Sequence, residues 1–196
     1  MKNSKILIVD DEPRICSSLK TLLCARNYEV QTCNSGSAAL KYLINDKFEL
    51  VLLDIFMEDM TGFQVIEKIM NQTIDTSVII MTGNSSTDYA VKAFRMGAND
   101  YLKKPFESDE LFATVGNILN QRILEKKLKE SIPNKILLVA EAIRKKIDLK
   151  RIFTLSKIDP WFLEQIKEIV DNETKIKNKG LPKDFNEFNR IKSIGF

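Results

Sequence analysis

In the first part of this sequence, each of four short apolar runs is followed directly by polar residues. One run covers residues 50–53, and similar runs cover residues 5–9, 78–81 and 100–102. The polar residues that follow are, in chain order, Asp10, Asp11, Asp54, Thr82, Lys103 and Lys104. Carboxylates held close together repel one another unless a cation joins them. A hard divalent ion with oxygen ligands and retained waters, such as Mg²⁺, fits such a group best.

The apolar runs are predicted to be parallel strands of one sheet. Residues 50–53 show no polar alternation, which is typical of a strand buried on both faces. Segments with helical spacing separate the runs, which favours βαβ units and a doubly wound α/β sheet. The carboxyl ends of its strands would then collect the polar residues at one edge. A single Asp after a strand is more typical of a turn or helix cap, and only the whole set favours a site.

Four motifs give residues 1–122 a resemblance to a known family. They are Ile8-Val9-Asp10-Asp11-Glu12, Leu53-Asp54 with Gly62 eight residues later, Met81-Thr82-Gly83, and residues 97–106. Together they resemble the receiver domain of two-component response regulators. The resemblance implies a flavodoxin-like fold with a five-stranded, doubly wound parallel sheet.

The resemblance also implies roles for single residues. Asp54 would be the nucleophile that forms an aspartyl phosphate, while Lys104 and Thr82 contact the phosphoryl group. A cis peptide bond before Pro105 would aim Lys104 at the acidic site. Tyr101 would be a switch aromatic that turns inward when Thr82 moves, and the alternative is an ordinary, partly buried strand residue.

Mg²⁺ is the cofactor that the resemblance implies, and the ligands it assigns are Asp10, Asp11, Asp54 and the backbone carbonyl of Phe56. Asp11 would bind the ion directly, with Asp10 acting through water. Glu58 departs from the family pattern, which usually has proline at this position. We expect the change to affect the mobility of the loop more than its chemistry.

The composition excludes several classes of function. The 196 residues contain no histidine, which excludes Ser-His and Cys-His catalysis and a histidine phosphodonor. The receiver resemblance implies that the chain is not an enzyme beyond phosphorylation of itself by a phosphodonor and slow autodephosphorylation. Three cysteines without C-x-x-C spacing predict free thiols in a reducing compartment. A strand at the N-terminus and the lack of a run of ~20 apolar residues predict a cytoplasmic protein without a membrane partner.

The second part of the chain has a different character. Up to position 122 there are 13 basic and 16 acidic residues, against 17 and 11 afterwards. Residues 123–131 are predicted to be a charged helical connector, and residues 132–196 an all-helical segment that forms an incomplete domain. Parts of residues 139–196 resemble the start of the helical oligomerisation domain of carbamoyl-phosphate synthase large chains. The residues leave open a natural fusion, a truncation artefact, a constructed chimera and a functional output module.

The leading hypothesis for function is a two-component phosphorelay response regulator. Asp54 would accept a phosphoryl group from a histidine kinase or phosphotransfer protein, and a partner-binding surface would then change. The alternative is a DNA-binding transcription regulator that uses the basic C-terminal segment, and the third hypothesis is a subunit for carbamoyl-phosphate synthesis. DNA is less favoured because the basic residues are scattered and no helix-turn-helix is evident. Self-association through the receiver or the helical tail stays open.

Overall fold

The computed structural model of the chain describes residues 4–83, 87–130, 135–180 and 184. The strands are β1 Lys5–Val9, β2 Glu29–Cys33, β3 Leu50–Asp54, β4 Ser77–Thr82 and β5 Asp100–Lys103. The helices between and after them are α1 Pro13–Cys24, α2 Gly36–Asn45, α3 Gly62–Asn71, α4 Thr87–Met96, α5 Ser108–Lys129, α6 Lys135–Arg144, α7 Leu149–Ser156 and α8 Pro160–Lys179.

The five strands form one parallel sheet in the order β2-β1-β3-β4-β5. A helix connects each strand to the next, so that helices cover both faces of the sheet. The predicted fold class, a doubly wound five-stranded parallel sheet followed by an all-α segment, is confirmed.

Two apolar cores lie on the two faces of the sheet. In β3, Val51 and Leu53 belong to the core formed with α2, α3 and α4, whereas Leu50 and Leu52 belong to the core formed with α1 and α5. All four side chains are completely buried. Burial on both faces explains why this strand is a continuous apolar run rather than an alternating one.

Polar side chains fix the beginnings of several helices. The Ser35 side chain accepts a hydrogen bond at the start of α2, and Thr61 and Gln64 form a capping box at the start of α3. Asp148 and Asp159 cap α7 and α8 in the same way. These caps satisfy N–H groups that have no partner inside the helix.

Packing divides the chain into two compact units, Met1–Arg122 and Ile123–Phe196. The described core of the second unit combines residues of α5 with residues of the later helices and of the segment between α6 and α7. Its members are Leu124, Leu128, Val139, Ala142, Ile147, Ile152, Leu155 and Leu163. Residues 132–134, 181–183 and 185–196 of the predicted all-helical segment lie outside the described residues. That the two units are separate domains stays a prediction.

The charged helical connector predicted at residues 123–131 lies within α5 as far as Lys129, and its role as a connector stays a prediction. Leu124 and Leu128 are 3% and 0% exposed and lie in the core of the second unit. Residues four positions apart share one face of a helix, so the two leucines are buried while charged residues occupy the other face. None of the described helices has the length and apolar character needed to cross a membrane.

Candidate functional site

Four neighbouring parallel strands bring Asp10, Asp54, Thr82 and Lys104 to one edge of the sheet, which we call the rim. Asp54 and Thr82 are the last residues of β3 and β4, and Asp10 and Lys104 directly follow β1 and β5. Asp10, Asp54 and Thr82 are 0%, 6% and 3% exposed. The rim is therefore a place where charged groups are largely removed from water.

The ammonium group of Lys104 joins the two buried carboxylates. Its Nζ lies 2.6 Å from Oδ2 of Asp10 and 2.6 Å from Oδ1 of Asp54. Because two poorly solvated carboxylates repel each other, a shared cation stabilises both charges. The Lys104 N–H donates to the Thr82 carbonyl at 2.7 Å, which ties β5 to β4 next to the site. The Lys104–Pro105 peptide bond is cis, as the resemblance implied.

Each of the two carboxylates also accepts a hydrogen bond from the backbone. The N–H of Glu12 donates to Oδ1 of Asp10 at 3.0 Å. The N–H of Phe56 donates to Oδ2 of Asp54 at 2.7 Å. Lys104 and Phe56 thus contact different oxygens of Asp54, and together they fix the orientation of its carboxylate.

Burial and charge act against each other on the pKa values at the rim. Burial raises the pKa of Asp54, repulsion by Asp10 adds to the rise, and Lys104 only partly offsets it. Burial acts to lower the pKa of Lys104, but its hydrogen bonds to Asp10 and Asp54 outweigh burial and raise it. Lys104 therefore keeps its positive charge at neutral pH.

The remaining predicted site residues differ in exposure. Asp11 is partly exposed and the Phe56 ring is exposed, so Phe56 contributes to the rim through its backbone. Tyr101 is 43% exposed, and its ring meets that of Phe94 edge to face with 6.0 Å between centroids. This outward position matches the resting position expected of a switch aromatic, and the switch itself stays a prediction.

The predicted ligands for Mg²⁺ are only partly brought together. Asp10 and Asp54 converge on one cation, the Lys104 ammonium, so the chemistry of these oxygen donors fits a hard divalent ion. Asp11 does not complete a group with them, because within the described parts of the chain no three His, Cys, Asp or Glu side chains are placed to hold a metal ion. The assignment of Asp11 as a ligand stays a prediction.

Two residues near the rim were not found by sequence reasoning. The Asn34 side-chain amide donates to the Asp10 carbonyl at 2.9 Å, across 24 positions of the chain. The Asp59 carboxylate accepts hydrogen bonds from the N–H groups of Gly36 and Ser37 at the start of α2. No local pattern signals these contacts, since each partner lies in a different element and only the fold brings it close.

Two known families match the chain. Residues 6–116 match the family described as response regulator receiver domain, and residues 81–196 match the one described as carbamoyl-phosphate synthetase large chain, oligomerisation domain. Both resemblances recognised in the sequence are thereby confirmed. The second match begins at residue 81, whereas the resemblance was recognised in the sequence only within the segment of residues 132–196. Its first part therefore covers helix α4 and strand β5 of the first unit.

Individual proteins support the first match. The transcriptional regulatory protein DltR of Streptococcus agalactiae is 34% identical over 111 residues, which are 57% of this chain and 50% of DltR. The chain thus spans about half the length of this curated relative. A CheY-like receiver domain protein from Methanospirillum hungatei superposes with a TM-score of 0.61 at 31% identity, covering 63% of this chain and 99% of its own.

A third similar protein was solved with a ligand. Response regulator protein TrrA from Thermotoga maritima, in complex with Mg²⁺-BeF, has a TM-score of 0.54 and 34% identity, covering 59% of this chain and 98% of its own. The match to the receiver family, residues 6–116, contains all four residues of the rim and the five strands apart from Lys5. The chain belongs to the response regulator receiver family, and its later part belongs to the carbamoyl-phosphate synthetase large chain oligomerisation family.

Proposed function

We propose that the chain is a response regulator of a two-component phosphorelay, in which Asp54 accepts a phosphoryl group from a histidine kinase or a phosphotransfer protein. The observation that carries the proposal is the buried Asp54 carboxylate, held by Lys104 at 2.6 Å and by the Phe56 N–H at 2.7 Å. A nucleophile with one fixed orientation lowers the entropy cost of attack on phosphorus.

In the proposed reaction an Asp54 oxygen attacks the phosphorus atom of a phosphohistidine. A P–O bond forms as the P–N bond breaks, and the donor imidazole leaves with the electron pair and takes up a proton. Lys104 places its positive charge beside the phosphoryl oxygens, whose charge the transition state spreads. Later attack by water restores the carboxylate and releases inorganic phosphate, and this slow autodephosphorylation would be the only catalysis.

We also propose that the rim holds Mg²⁺ through Asp10, Asp11, Asp54 and the Phe56 carbonyl. When bound, the ion would neutralise further negative charge on the phosphoryl group. Replacement of Asp11 by Ala should weaken Mg²⁺ binding in a calorimetric titration, whereas Glu58→Ala should leave it unchanged. Equal affinity in both variants would place the ion away from Asp11.

Phosphorylation would act on a second surface by shifting a two-state equilibrium. In the proposed switch the Thr82 hydroxyl turns toward the phosphoryl group, and Tyr101 turns inward from its exposed position beside Phe94. Addition of beryllofluoride and Mg²⁺ should then perturb the resonances of Thr82 and Tyr101. If Tyr101 keeps its resonance while Asp54 and Lys104 respond, it is an ordinary strand residue.

The direct test of the proposed function is phosphoryl uptake from acetyl phosphate with Mg²⁺. The wild-type chain should gain one phosphoryl group, and Asp54→Asn should gain none because the amide is not a nucleophile. Asp59→Asn is not a suitable control, because Asp59 belongs to the loop that follows Asp54. Asp75→Asn serves instead, because Asp75 is an exposed aspartate away from the rim. Uptake by Asp54→Asn at the wild-type level would contradict the site.

The output is proposed to be a change in how the chain meets protein partners in the cytoplasm, with residues 123–196 as a separate helical domain. The alternative output is DNA binding, which the excess of basic residues in this part and the relative DltR, a transcriptional regulatory protein, favour. Binding to duplex DNA that weakens steeply with salt would support the alternative, because salt dependence reports the number of phosphate contacts. Sedimentation with and without beryllofluoride would detect self-association.

A further inference from the structure

The loop of residues 55–61, which we call the acceptor loop, connects Asp54 to α3. Its second residue donates the Phe56 N–H to the Asp54 carboxylate at 2.7 Å. At its far end the Gly62 N–H donates to the Ile55 carbonyl at 2.9 Å. A Cβ added to Gly62 would lie 2.4 Å from the backbone oxygen of Asp54, so glycine is needed for this close return. The two ends of the acceptor loop are thus fixed beside the phosphoacceptor.

The middle of the acceptor loop is attached to a different element through Asp59. Its Oδ1 accepts the Gly36 N–H at 3.0 Å, and its Oδ2 accepts the Ser37 N–H at 2.9 Å. These are the first two residues of α2, whose N–H groups have no acceptor within the helix. A carboxylate is well suited to this position because the helix dipole places partial positive charge there.

Two further observations describe this attachment. A Cβ added to Gly36 would lie 2.3 Å from Cγ of Met60, so the residue after Asp59 packs directly against the same turn of α2. Burial acts to raise the pKa of Asp59, but hydrogen bonds from the backbone of Ser37 and Gly36 outweigh it and lower the pKa. Asp59 therefore remains a charged acceptor under ordinary conditions.

The neighbouring residue offers no comparable restraint. Glu58 is exposed and has no hydrogen bond or ion pair with the described residues. The acceptor loop also contains no proline that would fix a backbone angle by itself. Among the polar side chains of this loop, Asp59 alone reaches α2, because the Thr61 side chain bonds within α3.

We propose that Asp59 is a positioning residue, which anchors the acceptor loop to α2 and thereby holds the Phe56 N–H against Asp54. The role in phosphoryl transfer rests on the function proposed above, whereas the role in placing the Phe56 N–H does not. Ile55 and Met57 stay packed in the core of the first unit, so loss of the anchor loosens the acceptor loop from Glu58 onward and weakens the restraint on the Phe56 N–H. For part of the time Asp54 then lacks the hydrogen bond from the Phe56 N–H, which helps to set the orientation of its carboxylate.

The first measurement uses the unphosphorylated full chain and needs no phosphoryl transfer. In wild-type protein the short hydrogen bond should shift the Phe56 amide proton resonance to low field. In Asp59→Ala this resonance should move to higher field, and its exchange with solvent should become about tenfold faster, a loss comparable to one hydrogen bond. Glu58→Ala, which removes the same charge from the adjacent position, should leave the resonance and its exchange unchanged.

The second measurement is the rate of acyl phosphate formation as a function of acetyl phosphate concentration. Asp59→Ala should lower the maximal rate about tenfold, since the nucleophile is misoriented, while the half-saturating concentration stays unchanged. Asp59→Asn keeps one carbonyl acceptor at nearly the same size, so its rate and its Phe56 resonance should lie between those of Asp59→Ala and wild type. This graded response also separates positioning from a general loss of folding.

The proposal is overturned if Asp59→Ala and Glu58→Ala give the same Phe56 resonance and the same maximal rate. Circular dichroism measures how much of Asp59→Asn is folded. The proposal is also overturned if Asp59→Asn is largely unfolded while its folded fraction keeps the wild-type Phe56 resonance. If no variant and not even wild type takes up a phosphoryl group, the proposed function fails. The Phe56 resonance in Asp59→Ala would still decide whether Asp59 places that N–H.

Discussion

The rim of the first unit and the helix surfaces of the second unit distribute charge and apolar groups in opposite ways. At the rim, Asp10 and Asp54 are buried charges, each paired with Lys104. In the second unit Trp161 and Phe162 are 62% and 57% exposed, and their rings contact each other edge to face. The rim is built to hold one arrangement of charges, whereas the second unit presents apolar surface.

The difference is the one expected between a reactive site and a contact surface. An unpaired buried charge costs several kcal/mol, so a group of buried carboxylates persists only where a cation and hydrogen bonds stabilise it. Exposed apolar groups cost little singly and are typical of contact surfaces rather than of reactive sites. A substitution at the rim should therefore change reactivity, whereas one in the second unit should change stability or partner contacts and leave reactivity unchanged.

The strongest test of this comparison removes the cation from the rim. Lys104→Ala should lower the rate of phosphoryl uptake between about a hundredfold and a thousandfold, the usual cost of losing one group that stabilises a transition state. Lys103→Ala is the matched control, because Lys103 is the adjacent residue with an exposed side chain and should leave the rate near that of wild type. Equal rates in both variants would remove Lys104 from the site.

A second substitution addresses the core of the second unit. Leu128→Ala should lower the free energy of unfolding of this unit by about 2–5 kcal/mol, because it opens a cavity at a fully buried position. The single tryptophan, Trp161, lies in this unit, so its fluorescence in a denaturant titration reports the loss. Lys127→Ala, on the exposed face of α5, should change stability by less than about 0.5 kcal/mol.

The same variant also tests whether the second unit affects the reactivity of the rim. Leu128→Ala should take up phosphoryl groups at the wild-type rate if the two regions differ as described. If Leu128→Ala costs no more stability than Lys127→Ala, Leu128 does not stabilise the second unit, and residues 123–131 act only as the predicted connector. If it slows phosphoryl uptake, the two units are one cooperative structure.

A smaller effect concerns the buried thiols of the first unit. Burial raises the pKa of the Cys33 thiol to about 12, from an ordinary value of 9.0. A raised pKa in the folded state means that stability is complete below pH 9 and declines as pH rises toward 12, because the unfolded chain ionises first. Between pH 9 and 10 the decline should be about 1 kcal/mol for this group.

Denaturant titrations at the two pH values measure this decline, and Cys33→Ala should reduce it. An identical decline in wild type and Cys33→Ala would show that the thiol is not protected. Iodoacetamide should accordingly label Cys24 in the folded chain and reach Cys33 only after unfolding.

Much of the fold and of the rim was predictable from the sequence because the relevant signals are local. Continuous apolar runs such as residues 50–53 indicate strands buried on both faces, and the polar residue after each run marks the edge of the sheet. The packing of Leu124 and Leu128 was missed because the surrounding charges dominate the composition of that stretch. Their spacing of four positions, read together with the later helices, carries the signal.

The contacts of Asp59 and Asn34 could not be predicted in the same way. Each contact joins segments that are more than twenty positions apart, and a polar residue in a loop gives no indication of its distant partner. The bridging of Asp10 and Asp54 by Lys104 could be predicted only in part. The family motifs imply the three residues, but only the folded chain shows which oxygens Nζ contacts.

The most direct test of the phosphoacceptor assignment is to identify the residue that carries the phosphoryl group. Reduction of an acyl phosphate with borohydride converts the aspartate to homoserine, which marks its position permanently and can be located by mass spectrometry of peptides. After treatment of the full chain with acetyl phosphate and Mg²⁺, we predict homoserine at position 54 and at no other aspartate. Homoserine at Asp10, Asp11 or Asp59 with none at position 54 would contradict the assignment of the rim as the site of phosphoryl transfer to Asp54.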